Sequence, residues 1–184
     1  MRKTTNSKMP HHKSETDSDR QKRNAFPAPG HNHDKCLAGA IDKARQLFAA
    51  QKLKLTPLRE EIYRQVLNAH TALGAYEIRD QINRTNRNVA PITIYRILDL
   101  LRETGLIHRL ESQNTYYACY QEHKSSTSIV TLICQHCGNV AELVDENVEK
   151  LMGLLEKNAD FVMENRVLEI EGKCPQCRKF VKTK

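Results

Sequence analysis

Apolar residues recur at helical spacing in four stretches of the first two thirds of the chain. The pattern predicts a first helix over about 36–51 and a second helix over about 57–69. A short third helix should follow Gly74 in "AYEIRDQINR", and a fourth should run from Pro91 to Gly105.

The segment after the fourth helix, "LIHRLESQNTYYACY", predicts two strands joined at Ser112–Asn114. Two helices followed by a hairpin have the order of a winged helix-turn-helix, in which the fourth helix reads DNA and the hairpin is the wing. On that helix Arg96 lies opposite the apolar stripe, flanked by Tyr95 and Asp99. A helical protein–protein module could share the same order of elements.

Residues 129–184 show a different pattern. The stretches "SIVTLIC", "NVAELV" and "RVLEIEG" predict strands, and apolar spacing predicts a helix over about 145–159. We therefore expect an α+β fold class, with an N-terminal winged helix-turn-helix domain followed by a small α/β domain.

Two CxxC turns lie in this second domain, Cys134 with Cys137 and Cys174 with Cys177, and 36 residues separate them. Two such turns close a four-cysteine zinc site, which would stabilise a domain too small to bury a large core. Redox or incidental thiols and a rubredoxin-like iron site are the alternatives. Because four protein ligands leave no open coordination position, the pattern favours structural zinc over a hydrolytic centre.

Charge is distributed unevenly along the chain. Residues 1–35 carry eight Lys/Arg and four Asp/Glu, residues 36–117 carry twelve and eight, and residues 118–184 carry nine and ten. The excess of Arg in the middle segment suits a polyanion such as nucleic acid, although an ordinary solvated surface could also show it. Residues 1–35 are poor in apolar residues and are expected to be disordered. The histidines of this tail could capture zinc weakly or simply belong to a solvated leader; they are His11, His12, His31 and His33.

Several classes of function are disfavoured by the sequence. The N-terminus has no apolar signal segment, and no apolar run approaches the ~20 residues of a membrane helix. We therefore expect a cytoplasmic protein with reduced thiols and no membrane partner. We find no open zinc triad, nucleophile–base pair or phosphate loop, and so expect neither an enzyme nor a small-molecule substrate.

Five stretches, in this order and spacing, resemble the ferric uptake regulator family of bacterial metalloregulators. They are "LTPLREEIYRQVL", "LGAYEIRDQI", "APITIYRILDLLRETGLIHRLES", "TLICQHCGNVAEL" and "GKCPQC". The missing His-rich box before the first CxxC is typical of the zinc uptake regulator branch. The resemblance implies a winged-helix DNA-binding domain over 36–120, a hinge over 121–128 and a dimerisation domain over 129–184.

The resemblance also implies a homodimer that binds double-stranded operator DNA, which we expect to be palindromic. The residues expected to contact DNA are Tyr76, Thr93, Tyr95, Arg96 and Arg109. Asp80 matches an acidic residue that links neighbouring dimers on DNA in the family, but Asn83 stands where its partner is usually an arginine.

A second, regulatory zinc at the hinge is implied by the same resemblance. Its expected ligands are His108, Cys119, His123 and Glu142. His123 is the candidate for the fourth place because Thr127 stands where the family commonly has a histidine; a tail histidine or a water are the other options. Thiolate, imidazole and carboxylate together suit zinc, whereas iron or manganese sensing would favour more oxygen and nitrogen ligands.

The function expected from these features is that of a zinc-responsive transcriptional repressor that binds its operator when the regulatory zinc is bound and controls zinc-uptake genes. Each subunit should hold one structural and one regulatory Zn²⁺. An iron- or peroxide-responsive regulator of the same family is the alternative.

Overall fold

The computed structural model describes Phe26 and residues 33–69, 71–84, 88–119, 128–164 and 166–179. Several residues considered above lie outside these ranges: the proposed ligand His123, its neighbour Thr127, and the tail histidines His11, His12 and His31. No helix within the described ranges is both long enough and apolar enough to cross a membrane.

The N-terminal part consists of four helices and a small antiparallel sheet. Its helices are α1 (His33–Ala50), α2 (Pro57–Asn68), α3 (Ala75–Asn83) and α4 (Pro91–Glu103). Its strands are β1 (Leu73–Gly74), β2 (Ile107–Leu110) and β3 (Thr115–Ala118), in the order β1-β3-β2. This is the predicted winged-helix order, except that α1 begins at His33 and that the two-residue strand β1 was not predicted.

Local sequence sets the ends of these helices. The Thr56 Oγ1 accepts a hydrogen bond from the Arg59 N–H at 3.4 Å, which caps the N-terminus of α2. Gly105 adopts φ +73° just beyond α4, a conformation that ends a helix at little cost for glycine. Between α3 and α4 the Asn83 Oδ1 accepts from the Val89 N–H at 2.9 Å, so this side chain fixes the turn of the helix-turn-helix.

One apolar core holds the four helices and the wing together. Its fully buried members include Phe48, Ile62, Ile78, Ile82, Ile94, Leu98, Leu101 and Ile107. Because the apolar stripe of α4 is buried in this core, Arg96 is exposed on the opposite side of the helix, as predicted.

The C-terminal part is a three-stranded sheet with one long and one short helix. Its elements are β4 (Val130–Cys134), β5 (Val140–Leu143), α5 (Glu146–Ala159), β6 (Leu168–Gly172) and α6 (Pro175–Arg178). β4 is the central strand, antiparallel to β5 and parallel to β6. The α+β fold class is therefore confirmed, while the short helix α6 was not predicted.

The helix α5 buries only part of its apolar stripe. Met152 is buried, but Leu151 and Leu155 are 51% and 45% exposed. Further exposed apolar side chains of this part are Val144, Leu154, Phe161, Val162, Val167 and Ile170. We call these eight exposed residues the α5 apolar surface.

The wing lies against the C-terminal sheet. A small apolar cluster fills the junction and consists of Leu110, Tyr117, Ile133 and Val140, with Ala72 at its edge. The Tyr117 and Thr131 hydroxyls share a buried hydrogen bond of 2.9 Å. Burial raises the pKa of Tyr117 well above its ordinary value, so this phenol stays protonated and able to bond.

Candidate metal centres and DNA-facing surface

Four cysteines converge at one end of the C-terminal sheet. Cys134 ends β4, Cys137 lies in the following turn, Cys174 follows β6, and Cys177 lies in α6. All four sulfurs lie within 4.8 Å of one another, and the Cys137 and Cys174 sulfurs are 3.8 Å apart. Tetrahedral zinc with Zn–S bonds of ~2.3 Å would hold its sulfurs at nearly this separation. The four residues therefore fit the predicted zinc.

Backbone donors prepare this cluster to bind a cation. The Cys174 N–H donates to the Cys134 sulfur at 3.3 Å. Burial raises the pKa of the Cys134 thiol, but the N–H donors of Cys174, Cys137 and His136 outweigh burial and lower the pKa to about 6. Burial and the neighbouring thiols raise the pKa of Cys177 to about 12. One thiol thus ionises readily, while a second ionises against repulsion that a bound cation would relieve.

Two residues support the four-cysteine cluster from outside. Gly138 turns the chain with φ +73°, and a Cβ at this position would lie 3.1 Å from the Thr71 Cγ2. Phe26 is half-buried against the cluster. Phe26 therefore packs against the three buried cysteines, Cys134, Cys174 and Cys177.

A second cluster lies where the wing meets the C-terminal sheet. His108 is in β2, Cys119 follows β3, and Glu142 is in β5. One ligand atom from each lies within 4.8 Å of the others. The His108 Nε2 is 3.2 Å from the Glu142 Oε1, and the Cys119 sulfur is 3.9 Å from the Glu142 Oε2. Three of the four predicted regulatory ligands are thus brought together.

The surroundings hold these three side chains in place. The His108 ring lies against the ring of Tyr117, its partner across the β2–β3 ladder, with centroids 5.5 Å apart. The Cys119 N–H donates to the Leu106 carbonyl at 3.0 Å. Glu142 is only 2% exposed, and a buried carboxylate is costly unless it is paired or binds a cation. Thiol, imidazole and carboxylate form a mixed donor set that fits zinc.

Aromatic and charged side chains cover the outer surface of α3 and α4. Tyr76 is 56% exposed, and its ring meets the ring of Tyr95 edge-on at 6.4 Å. The Arg79 guanidinium lies 5.0 Å from the Tyr76 ring centre and pairs with Asp80 at 2.6 Å. Arg96 is exposed on α4.

The two remaining predicted DNA-contacting residues lie on α4 and on the wing. Thr93 is half-buried in the first turn of α4. Arg109 lies in the wing, where it donates to the Asn114 Oδ1 at 2.9 Å and pairs with Glu111 at 3.5 Å. Asp80 pairs within its own chain, so its contact with a neighbouring dimer remains a prediction.

One residue of the junction was missed by sequence reasoning. The Glu169 carboxylate accepts hydrogen bonds from the Glu111 N–H at 2.7 Å and the Ser112 N–H at 3.2 Å. These donors precede Glu169 by 58 and 57 positions. No local pattern around Glu169 signals a contact over that distance.

The chain is similar to known proteins in both sequence and structure. The profile of the ferric uptake regulator family matches residues 50–171. The chain is 33% identical over 137 residues to the zinc uptake regulation protein of Escherichia coli K12, covering 74% of this chain and 80% of that protein. It is 31% identical over 143 residues to the ferric uptake regulation protein of Legionella pneumophila, covering 75% of this chain and 100% of that protein. A solved zinc uptake regulator complexed with zinc and DNA superposes with a TM-score of 0.72 at 31% identity, covering 81% of this chain and 97% of that chain.

Proposed function

The chain belongs to the ferric uptake regulator family, and from that premise we propose that it is a zinc-responsive repressor that binds operator DNA as a homodimer. It is a metal-responsive transcription regulator, and regulators of this family are not enzymes. The proposal extends to control of zinc-uptake genes in the cytoplasm. It assigns each subunit one structural and one regulatory zinc, one for each of its two clusters.

The observation that carries the proposal is the division of the regulatory cluster between two parts of the chain. His108 and Cys119 belong to the wing and its edge, whereas Glu142 belongs to the C-terminal sheet. Bound zinc would supply a tetrahedral centre that accepts sulfur, nitrogen and oxygen together. The three side chains then fix the angle between the sheet and the domain that carries α4.

This arrangement gives the regulatory ion a preference between conformers. A ligand shifts an equilibrium only through its differential affinity for the two states, and a change from 1:99 to 99:1 takes roughly 5.5 kcal/mol. A conformer in which the wing has left the sheet separates Glu142 from His108 and Cys119. That conformer loses one of the three ligands and binds zinc more weakly.

The surface of α3 and α4 supports the DNA-binding part of the proposal. We assign Tyr76, Thr93, Tyr95 and Arg96 to the major groove and Arg109 to phosphates beside the wing. An exposed arginine on a recognition helix can bond a guanine edge with two N–H groups. Asp80 would contact a neighbouring dimer only by leaving its partner Arg79.

The α5 apolar surface supports the homodimer. Apolar patches of this kind mark protein interfaces, and a two-fold dimer presents the same surface on both subunits. We therefore assign residues 129–184 to dimerisation and 36–120 to DNA binding. A two-fold dimer with one recognition helix per subunit in turn fits a palindromic operator.

The four-cysteine cluster is assigned to structural zinc. Its cysteines lie in the two turns that follow β4 and β6, so a bound ion would tie together the neighbouring carboxyl ends of these two parallel strands. Structural zinc sites of this kind contribute on the order of 10–16 kcal/mol in small modules.

The fourth regulatory ligand is proposed to be His123. His123→Ala should then weaken regulatory zinc binding strongly, because imidazole is a direct ligand. Zinc affinity that stays at the wild-type value would assign the place to a water or a tail histidine.

The proposal is tested by metal analysis of the purified protein together with operator binding titrated against free zinc and free ferrous iron. We expect two zinc ions per subunit and tight operator binding that requires zinc. Tight binding with ferrous iron but not with zinc would instead identify an iron- or peroxide-responsive regulator.

A further inference from the structure

Three side chains form a row across the C-terminal sheet, on the face that meets the wing. In the strand register Thr131 of β4 pairs with Glu142 of β5 on one side and with Glu169 of β6 on the other. Side chains at paired positions point to the same face of a sheet. We call these three residues the polar row.

Every member of the polar row contacts the wing. Glu142 meets His108 at 3.2 Å, and Thr131 shares a hydrogen bond with Tyr117 at 2.9 Å. His108 and Tyr117 are themselves partners across the β2–β3 ladder. Two members of the row thus hold the body of the wing.

Glu169 holds the tip of the wing. Its two carboxylate oxygens accept from the backbone N–H groups of Glu111 and Ser112, at 2.7 and 3.2 Å. Both donors lie at the start of the turn that joins β2 to β3. Hydrogen bonds to a carboxylate are stronger than neutral ones, and two oxygens on two adjacent donors fix an orientation as well as a distance.

We propose that Glu169 is a positioning residue that holds the wing where the regulatory ligands meet. This inference rests on the proposed function, because it gives Glu169 a part in setting the zinc response. The polar row holds the wing at three separated points. A rotation of the wing that moves His108 away from Glu142 therefore also breaks the contacts of Glu169.

The contacts of Glu169 exist only when the wing is docked on the sheet. They favour the docked conformer before zinc binds. Zinc therefore needs a smaller difference in affinity between the two conformers to shift the equilibrium to the docked one. By linkage, loss of Glu169 should weaken regulatory zinc binding and raise the free zinc concentration needed for operator binding.

Glu171 provides a matched control on the same strand. It lies two positions beyond Glu169, and its Oε2 accepts from the Gln135 side-chain amide at 2.7 Å. This contact lies within the C-terminal part. Glu171→Ala removes the same chemical group as Glu169→Ala without touching the wing contact.

The experiment compares Glu169→Ala, Glu169→Gln and Glu171→Ala in the full chain. Hydrogen exchange at the backbone amides of Glu111 and Ser112 reads the contact directly, and operator binding is titrated against free zinc. We expect Glu169→Ala to speed exchange at both amides. It should also raise the free zinc concentration that gives half-maximal operator binding about fivefold. An effect of this size is expected when hydrogen bonds to a charged but partly solvated carboxylate are lost. Glu169→Gln keeps one accepting oxygen and should give a smaller shift, and Glu171→Ala should match the wild type.

Unchanged exchange at both amides would overturn the inference. Faster exchange with an unchanged half-maximal zinc concentration would also overturn it, because the contact would then have no part in the response. The wild-type titration alone decides the proposed function. If wild-type binding ignores zinc, that function fails, while the exchange comparison still reports on the wing contact.

Discussion

Glu142 is the proposed regulatory ligand that comes from the C-terminal sheet, and its side chain is buried. Glu142→Gln preserves its shape and removes its charge. We expect metal analysis after dialysis against a chelator to give one zinc per subunit instead of two. Changes at outer partners of a metal ligand already cost about 10–100-fold in affinity, so this change should cost at least that.

The matched control is Glu146→Gln, an exposed carboxylate in the first turn of α5. This variant should keep both zinc ions. Retention of both ions by Glu142→Gln at wild-type affinity would remove Glu142 from the ligand set.

Gly138 is a residue whose conformation is required by the first cysteine turn. Gly138→Ala places a Cβ at φ +73° and 3.1 Å from the Thr71 Cγ2, so we expect a loss of about 1–2 kcal/mol in unfolding free energy. Urea unfolding of the zinc-loaded protein at one fixed concentration measures it. Gly39→Ala, in α1 with nothing within 4 Å of the new Cβ, should instead be neutral or stabilise by about 0.5–1 kcal/mol. Equal effects of the two changes would contradict the account of this turn.

The single residues that could be predicted are those with a chemical signature at a defined spacing. The four cysteines are set by two CxxC turns, and His108, Cys119 and Glu142 by the family resemblance. Glu169 has neither kind of signal, because its role follows from the register of β6 beside β4 and from the docking of a wing far away in sequence.

At the scale of elements, α4, the proposed recognition helix, links sequence to proposed function most directly. Its buried stripe orients the helix so that Arg96 is exposed. If Arg96 reads a base edge, Arg96→Ala should reduce the preference for operator over random DNA by about 1–3 kcal/mol. Binding titrations on both DNAs at one salt concentration measure this ratio.

Arg64→Ala serves as the control for that prediction, since Arg64 lies on α2 and pairs with Glu60 at 2.8 Å. It should leave the ratio unchanged. An equal fall in affinity of Arg96→Ala for both DNAs would mean that Arg96 contacts only phosphate.

Elements with strong local signals were predicted within a few residues, and the others depend on tertiary contacts. The helix α2 has the Thr56 cap, and α4 begins at Pro91 and ends before Gly105. By contrast, β1 is two residues long and exists because Leu73 and Gly74 pair with β3. The apolar stripe of α5 was recognised from the sequence. The spacing of apolar residues is the same whether such a stripe packs on its own core or on a second copy of the chain.

At the scale of the whole molecule, the α5 apolar surface should hold two subunits together. Leu154 is 56% exposed on α5, and Leu154→Glu would place a charge in that interface. We expect analytical ultracentrifugation to show mostly monomer. Ile92→Glu, a change at a similarly exposed residue of α4 (59%), should remain a dimer. A dimer that persists in Leu154→Glu would place the interface elsewhere.

The central claim is that a metal shared between the wing and the C-terminal sheet controls DNA binding. The most direct test measures operator affinity of one preparation before and after removal of the regulatory zinc, with the four-cysteine zinc retained as verified by metal analysis. The account predicts that affinity falls at least tenfold on removal and returns when zinc is restored. Equal affinity in the two states would contradict it.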